Sequence, residues 1–329
     1  MKLLPRLLGL LLILGFLLGF SSPVSSVSQG LSGVGFSFSP TYAEYLGLNP
    51  RASYLEILDS FKFQAVRLPV YWDRVYQNGS YDFAEIDFLV KEARKRNLAV
   101  VLSFGYRNFR WPECYAPQEF ASLAYPEFEE KILSFDREVL NHFNKGEISF
   151  WQVENEPYLH PHCRYLKVET LKKLVAQVRE IHSEGKVVIT YGGAQAVTLP
   201  FCWGLYEQAD YLGASFYARI LDPLFRKYYV ETYRLGILSP RSIARERGLI
   251  NGKGKGFWVV EFQAEPWKED GRTMSPTLLK ENWEDLISFG SAEKVFVWGA
   301  EWWLKEKTQG RPQMFQAAQS LFNGNLGIK

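Results

Sequence analysis

The stretch that decides the fold is Trp151-Gln152-Val153-Glu154-Asn155-Glu156-Pro157, with Glu147-Ile148-Ser149-Phe150 ahead of it. An apolar, β-branched run leading into polar residues predicts a strand. Pro157 has no N–H to give a sheet ladder, so the strand is expected to stop there, with Glu156 at its C-terminal rim. Glu154 lies one residue before the Asn and reads as a rim or interior contact. A lone glutamate at a strand end is more often simply solvated, so the motif needs a second carboxylate before it implies chemistry.

Working outward, that second group is Glu261, which closes Gly256-Phe257-Trp258-Val259-Val260-Glu261-Phe262-Gln263. Two carboxyl groups, each ending an apolar strand far apart in the chain, suit a retaining glycosidase. One stays protonated to donate to the leaving oxygen, and the other attacks the sugar. Their separation has to be about 5 Å, which requires a fold that brings both strand ends to one face. Similar runs precede and follow: 33–38, 65–70, 98–104, 187–191, 211–217 and 294–299. Helical patterns fall between them at 50–61, 84–96, 126–143, 168–184, 240–247 and 276–289, with a closing helix at 312–322.

Asn155-Glu156-Pro157 after a Trp-Gln-Val strand, with Glu261 closing a later one, resembles the (β/α)8 glycoside hydrolases of clan A, and family five (cellulase-like) among them. The resemblance spans nearly the whole mature chain and implies an α/β fold, a single-domain TIM barrel over residues 30–329. It implies that Glu156 is the acid/base and Glu261 the nucleophile. It further implies that Arg67 hydrogen-bonds Glu261 and keeps it ionised, Asn155 meets the sugar 2-hydroxyl, Tyr217 holds the nucleophile, and Trp298 floors the reacting subsite. Glu301, Trp302 and Trp303 would extend the rim. Two positions depart from the family: no His follows strand three, and Ser215 stands where a His is common.

Loop residues add candidates on their own chemistry. Trp72 after strand two reads equally as a sugar contact or as packing, Trp111 within the aromatic and basic loop 105–118 as part of a substrate wall, and His160 after strand four as a contact to sugar or solvent. Glu265, past strand seven, is expected to contact a loop or a remote sugar. His160, His162 and Cys163 lack a zinc spacing, and Gly252 to Gly256 lacks the P-loop pattern. No metal or cofactor is therefore expected.

The chain of 329 residues is 47% hydrophobic and 16% aromatic, enough for one large core. Its net charge of +2 argues against nucleic acid as a partner; carbohydrate is the expected partner, met by a monomer. Residues 1–26 read as a signal peptide: a positive start, the uncharged run Leu7 to Phe20, then small residues. If uncleaved, the run would serve as an anchor, the one membrane contact expected. The chain is thus read as secreted or cell-surface. Export favours oxidation, and Cys114, Cys163 and Cys202 fall on successive loops. One bridge is expected, Cys114–Cys163 ahead of Cys163–Cys202, with the odd cysteine buried and all three pairings open. Two alternatives to hydrolysis stay open: a transglycosylase using the same pair, and a silent carbohydrate-binding barrel.

Overall fold

Eight apolar runs become the eight parallel strands of a closed barrel: β1 Gly33–Ser37, β2 Ala65–Pro69, β3 Ala99–Phe104, β4 Phe150–Val153, β5 Lys186–Gly192, β6 Tyr211–Phe216, β7 Gly256–Gln263 and β8 Lys294–Trp298. Each is hydrogen-bonded to its neighbours in chain order, and β8 closes onto β1. The computed structural model describes residues 31–143, 146–158, 162–192, 203–221, 229–231, 240–267, 273–290 and 292–324. The stretch read as a signal peptide (residues 1–26), His160 and Cys202 lie outside the described residues.

Strands buried on both faces carry apolar side chains at most positions, which is why these runs lack strict alternation. Inward, Ala65, Val101, Val188, Trp258, Val260 and Phe296 fill the barrel. Outward, Val66, Leu68, Val100, Leu102, Val187, Ile189, Phe257 and Val259 join the layer beneath the helices. Those helices include Pro50–Ser60, Ala84–Lys95, Tyr125–His142, Val168–Ile181, Pro240–Asn251, Pro276–Ser288 and Gln313–Asn323. Among the described residues no helix is long and apolar enough to cross a membrane.

Three local expectations are corrected. The strand around the opening motif begins at Phe150, not Glu147, and ends at Val153, so Glu154 to Pro157 form a turn beyond it. Residues 300–308 form a helix, Ala300–Thr308, rather than an open rim. Within it Trp303 is fully buried, stacks with Phe322 and donates to the Ala264 carbonyl at 2.7 Å. Trp72 is likewise 0% exposed and stacks on Phe135 at 5.1 Å. A tryptophan count cannot tell which rings face a cleft and which fill a core.

One buried group works against stability. Asp136, in helix Tyr125–His142, is fully buried, and neither carboxylate oxygen has a hydrogen-bond partner among the described residues. Burial pushes its pKa well above the usual carboxylate value, and the nearby Glu154 charge adds to this. In the unfolded chain the group ionises above pH ~4, so its folded-state stabilisation is lost as pH rises beyond that point. Each unit of raised pKa corresponds to about 1.4 kcal/mol near neutrality. Asp136→Asn should therefore raise Tm at pH 8 and change it little at pH 4. Equal Tm for variant and parent at both values would contradict this.

Candidate active site

The turn after β4 is held from the loop after β3. Glu154 and Glu156 both have positive φ, 58° and 44°, a conformation unfavourable for side chains other than glycine. What offsets the strain is a set of contacts from residues 104–107. The Glu154 N–H donates to the Phe104 carbonyl (2.9 Å) and the Asn155 N–H to the Arg107 carbonyl (2.9 Å). In return the Glu154 carboxylate accepts the N–H groups of Tyr106 (2.9 Å) and Arg107 (2.6 Å), and the Arg107 guanidinium donates to the Pro157 carbonyl at 2.6 Å. Burial pushes Glu154 up to about 7, while the two backbone donors pull it down. Glu154 is thus a clamp, fully buried, beneath the turn that presents Glu156.

That clamp fixes the neighbouring glycine. Gly105 has φ +116°, and a Cβ there would collide with the Glu154 carboxylate. Gly105→Ala should cost about 2–3 kcal/mol through strain and lost clamping, read as a lower urea midpoint. An unchanged midpoint would contradict the clamp.

Glu261 is aimed by an irregularity in β7. Strict alternation would send it outward with Val259, because Val260 points inward. The register against β6 and β8 shifts between Val259 and the residues that follow. Phe262, stacked on Phe216, takes the next outward position, and Glu261 turns toward the mouth. Bulges commonly re-aim a side chain in this way.

At the mouth the expected partners converge. The Glu261 carboxylate accepts from Arg67 Nη1 at 3.2 Å and from the Tyr217 hydroxyl at 2.7 Å. Arg67, fully buried on β2, also donates to Gln152 Oε1 (2.6 Å) and Asn155 Oδ1 (2.5 Å). Asn155 Oδ1 further accepts from Gln152 and Thr190, and its amide NH2 donates to no acceptor among the described residues. Glu156 has a different set: the Ser215 hydroxyl donates to its Oε1 at 2.5 Å, and its N–H donates to Thr190 Oγ1 at 3.0 Å. Burial and the Glu156 charge push Glu261 up to about 7, against the pull of Arg67 and Tyr217. Arg67 therefore opposes protonation of Glu261 without holding it in the usual carboxylate range. Desolvation outweighs a single guanidinium whose hydrogen bonds are shared with Gln152 and Asn155.

The remaining sequence candidates scatter. Trp298 ends β8, buried, with the Arg110 guanidinium over its ring at 3.9 Å. Trp302 is buried in the first turn of Ala300–Thr308. Trp111 is 78% exposed and touches the His162 ring. Cys114 and Cys163 form the disulfide. His162 lies beside that pair, whose sulfurs are committed to each other. Glu265 is bound to Arg110 and accepts from the Tyr42 hydroxyl at 2.9 Å. Glu301 is fully buried, accepting from Arg110 (3.3 Å) and the Ser39 N–H (2.8 Å). Gln152, Thr190, Arg107 and Tyr42 carry no sequence signal for these roles. Ser215 was visible as a departure from the family, though not as a partner of Glu156.

No protein-family model matches this chain, and no curated protein matches its sequence. Solved structures do match its fold. A GH5_18 protein from Streptomyces cattleya, solved in complex with GlcNAc, is similar with TM-score 0.60 and 13% identity, over 82% of this chain and 71% of that one. A GH53 catalytic domain from Ignisphaera aggregans gives TM-score 0.57 and 18% identity over 84% and 87% of the two chains. A GH10 endoxylanase from a sugarcane soil metagenome gives 0.57 and 13% over 81% and 86%. At these identities the likeness is one of fold. This chain is a single-domain (β/α)8 barrel of the kind on which those glycoside hydrolases are built.

Proposed function

We propose that the protein is an exported, monomeric retaining β-glycosidase acting on a β-linked oligo- or polysaccharide. The observation that carries this reading is the contrast between two buried carboxylates at one barrel mouth. Glu261 is ion-paired with Arg67 and accepts from the Tyr217 hydroxyl, whereas Glu156 accepts from the Ser215 hydroxyl and feels Arg67 and Arg107 through space. In the first step Glu261 attacks the anomeric carbon and Glu156 gives its proton to the departing oxygen. In the second, Glu156 takes a proton from water, and that water displaces Glu261 from the sugar. In this reading Asn155 and Tyr217 would meet the reacting ring, and Arg67 spreads positive charge under Glu261 and Asn155. A barrel with chemistry at the C-terminal ends of its strands is consistent with this placement, and the fold neighbours support the reaction class.

Product release from β-glucans, β-mannans, xylans, β-galactans and aryl β-glycosides tests the reading, with Glu156→Gln and Glu261→Gln run alongside. Hydrolysis of one class by the parent, lost in both variants, is the expected result. Binding of one polysaccharide with no hydrolysis of any would replace it with the carbohydrate-binding barrel.

A further inference from the structure

The loop after β3 folds over the barrel mouth toward β8. Asn108 is fully buried and donates to the carbonyls of Val70 (3.1 Å) and Ser103 (2.9 Å), which draws the loop down into the mouth. Phe109, 1% exposed, lies against the Arg67 guanidinium at 4.1 Å and edge-on to Trp298 at 5.8 Å. Arg110 then reaches across the barrel from β3 to the residues after β7 and β8. It is ion-paired with Glu265 and Glu301, and its guanidinium stacks on both Trp298 (3.9 Å) and Tyr42 (3.7 Å). Arg110, Glu265 and Glu301 are each buried. Separating them would leave charges desolvated and unpaired, so the arrangement is a fixed wall rather than a loose side chain.

The position of this wall relative to the two carboxylates gives it meaning. A general acid must face the leaving oxygen, so the departing part of the substrate lies on the Glu156 side, over β4 to β6. The reacting sugar sits above Glu261, and anything attached to its far end would extend away from β4, over β8 and β1. That is the half occupied by Phe109, Arg110, Trp298 and Tyr42. One face of Trp298 is covered by Arg110 and is not available to stack a second sugar.

We propose that the Arg110–Glu265–Glu301 bridge closes the glycone end of the site just beyond the reacting sugar, so that the enzyme removes one sugar at a time from non-reducing ends. The inference rests on the glycosidase reading. The closing experiment separates the two: reducing-end-labelled cellopentaose, mannopentaose, xylopentaose and β-1,4-galactopentaose are incubated with the full chain, and labelled products are followed through the first few per cent of turnover. For the pentaose that is cleaved, labelled tetraose should be the only early labelled product. Early labelled triose or biose would overturn the wall while leaving the glycosidase intact. Cleavage of none of these pentaoses, nor of the polysaccharide and aryl glycoside panel, would overturn the glycosidase reading and the wall with it. A second variant strengthens the test. Arg110 has φ +74°, so Arg110→Gly suits the backbone, and pairing it with Glu265→Gln removes one unpaired charge. The double variant should raise labelled triose at least tenfold relative to tetraose; an unchanged product ratio in the folded variant would count against the wall.

Discussion

Glu261→Gln is expected to lower kcat by roughly 10⁵-fold, the scale on which removal of a covalent nucleophile acts, equivalent to about 7 kcal/mol of transition-state stabilisation. The amide cannot form the glycosyl ester, so the loss belongs in kcat rather than KM. The same residue should govern the acid side of the pH profile. Glu261 must be ionised to attack, and burial with the Glu156 charge pushes it up to about 7. Glu156 must keep its proton in the same productive state, so its charge does not then act on Glu261, and kcat/KM should rise with pH between the range of an ordinary carboxylate and about 7. Arg67 and Tyr217 oppose that shift, so Tyr217→Phe should move the acid limb to still higher pH. A limb near pH 4 in the parent, or one moved downward by Tyr217→Phe, would contradict the assigned electrostatics. The two carboxyl groups interact, and the limb reports the pair rather than one isolated group.

Glu156→Ala should produce a different signature. General acid–base assistance contributes roughly 10²–10⁴-fold, and a loss of that size is expected on substrates whose leaving group needs a proton. A dinitrophenyl glycoside, whose phenolate departs without one, should still form the glycosyl-enzyme at near-parental rate and then stall. Azide needs no base, so adding it should restore turnover by attacking the anomeric carbon and displacing Glu261, giving a β-glycosyl azide. Ser215→Ala, which leaves Glu156 without its 2.5 Å donor, should weaken the same step to a smaller degree. Equal losses on activated and unactivated substrates, with no rescue by azide, would remove Glu156 from the acid/base role.

The barrel was legible because its strands are buried on both faces. Continuous apolar runs such as Gly256–Gln263 and Val187–Tyr191 mark such strands to within a residue or two, and the intervening helices carry their own period. Less legible was anything set by contact between distant loops. The β7 bulge that turns Glu261 inward leaves no mark in Val259-Val260-Glu261, because both neighbours are apolar and either could face the core. Glu154 and Glu265 look alike in the sequence as acids beside a more plausible candidate. The structure separates them: Glu154 binds backbone N–H groups under the turn, while Glu265 binds Arg110 across the mouth. Trp72 and Trp303 were overread for a related reason, since ring orientation depends on packing partners such as Phe135 and Phe322. The pairing of Arg67, Asn155 and Tyr217 around Glu261 followed from the family resemblance rather than from periodicity.

A retaining mechanism requires Glu261 to form a covalent bond to the sugar. A 2-deoxy-2-fluoro β-glycoside with a dinitrophenyl leaving group, built on the sugar found in the release panel, slows both steps but breakdown more than formation. Intact-mass measurement followed by peptide mapping then locates any adduct. The expected result is one fluorosugar per chain, on the peptide carrying Glu261, formed also in Glu156→Ala and absent in Glu261→Gln. An adduct on Glu154, Glu156 or Glu265, or steady turnover of the fluoroglycoside with inversion and no adduct, would contradict it.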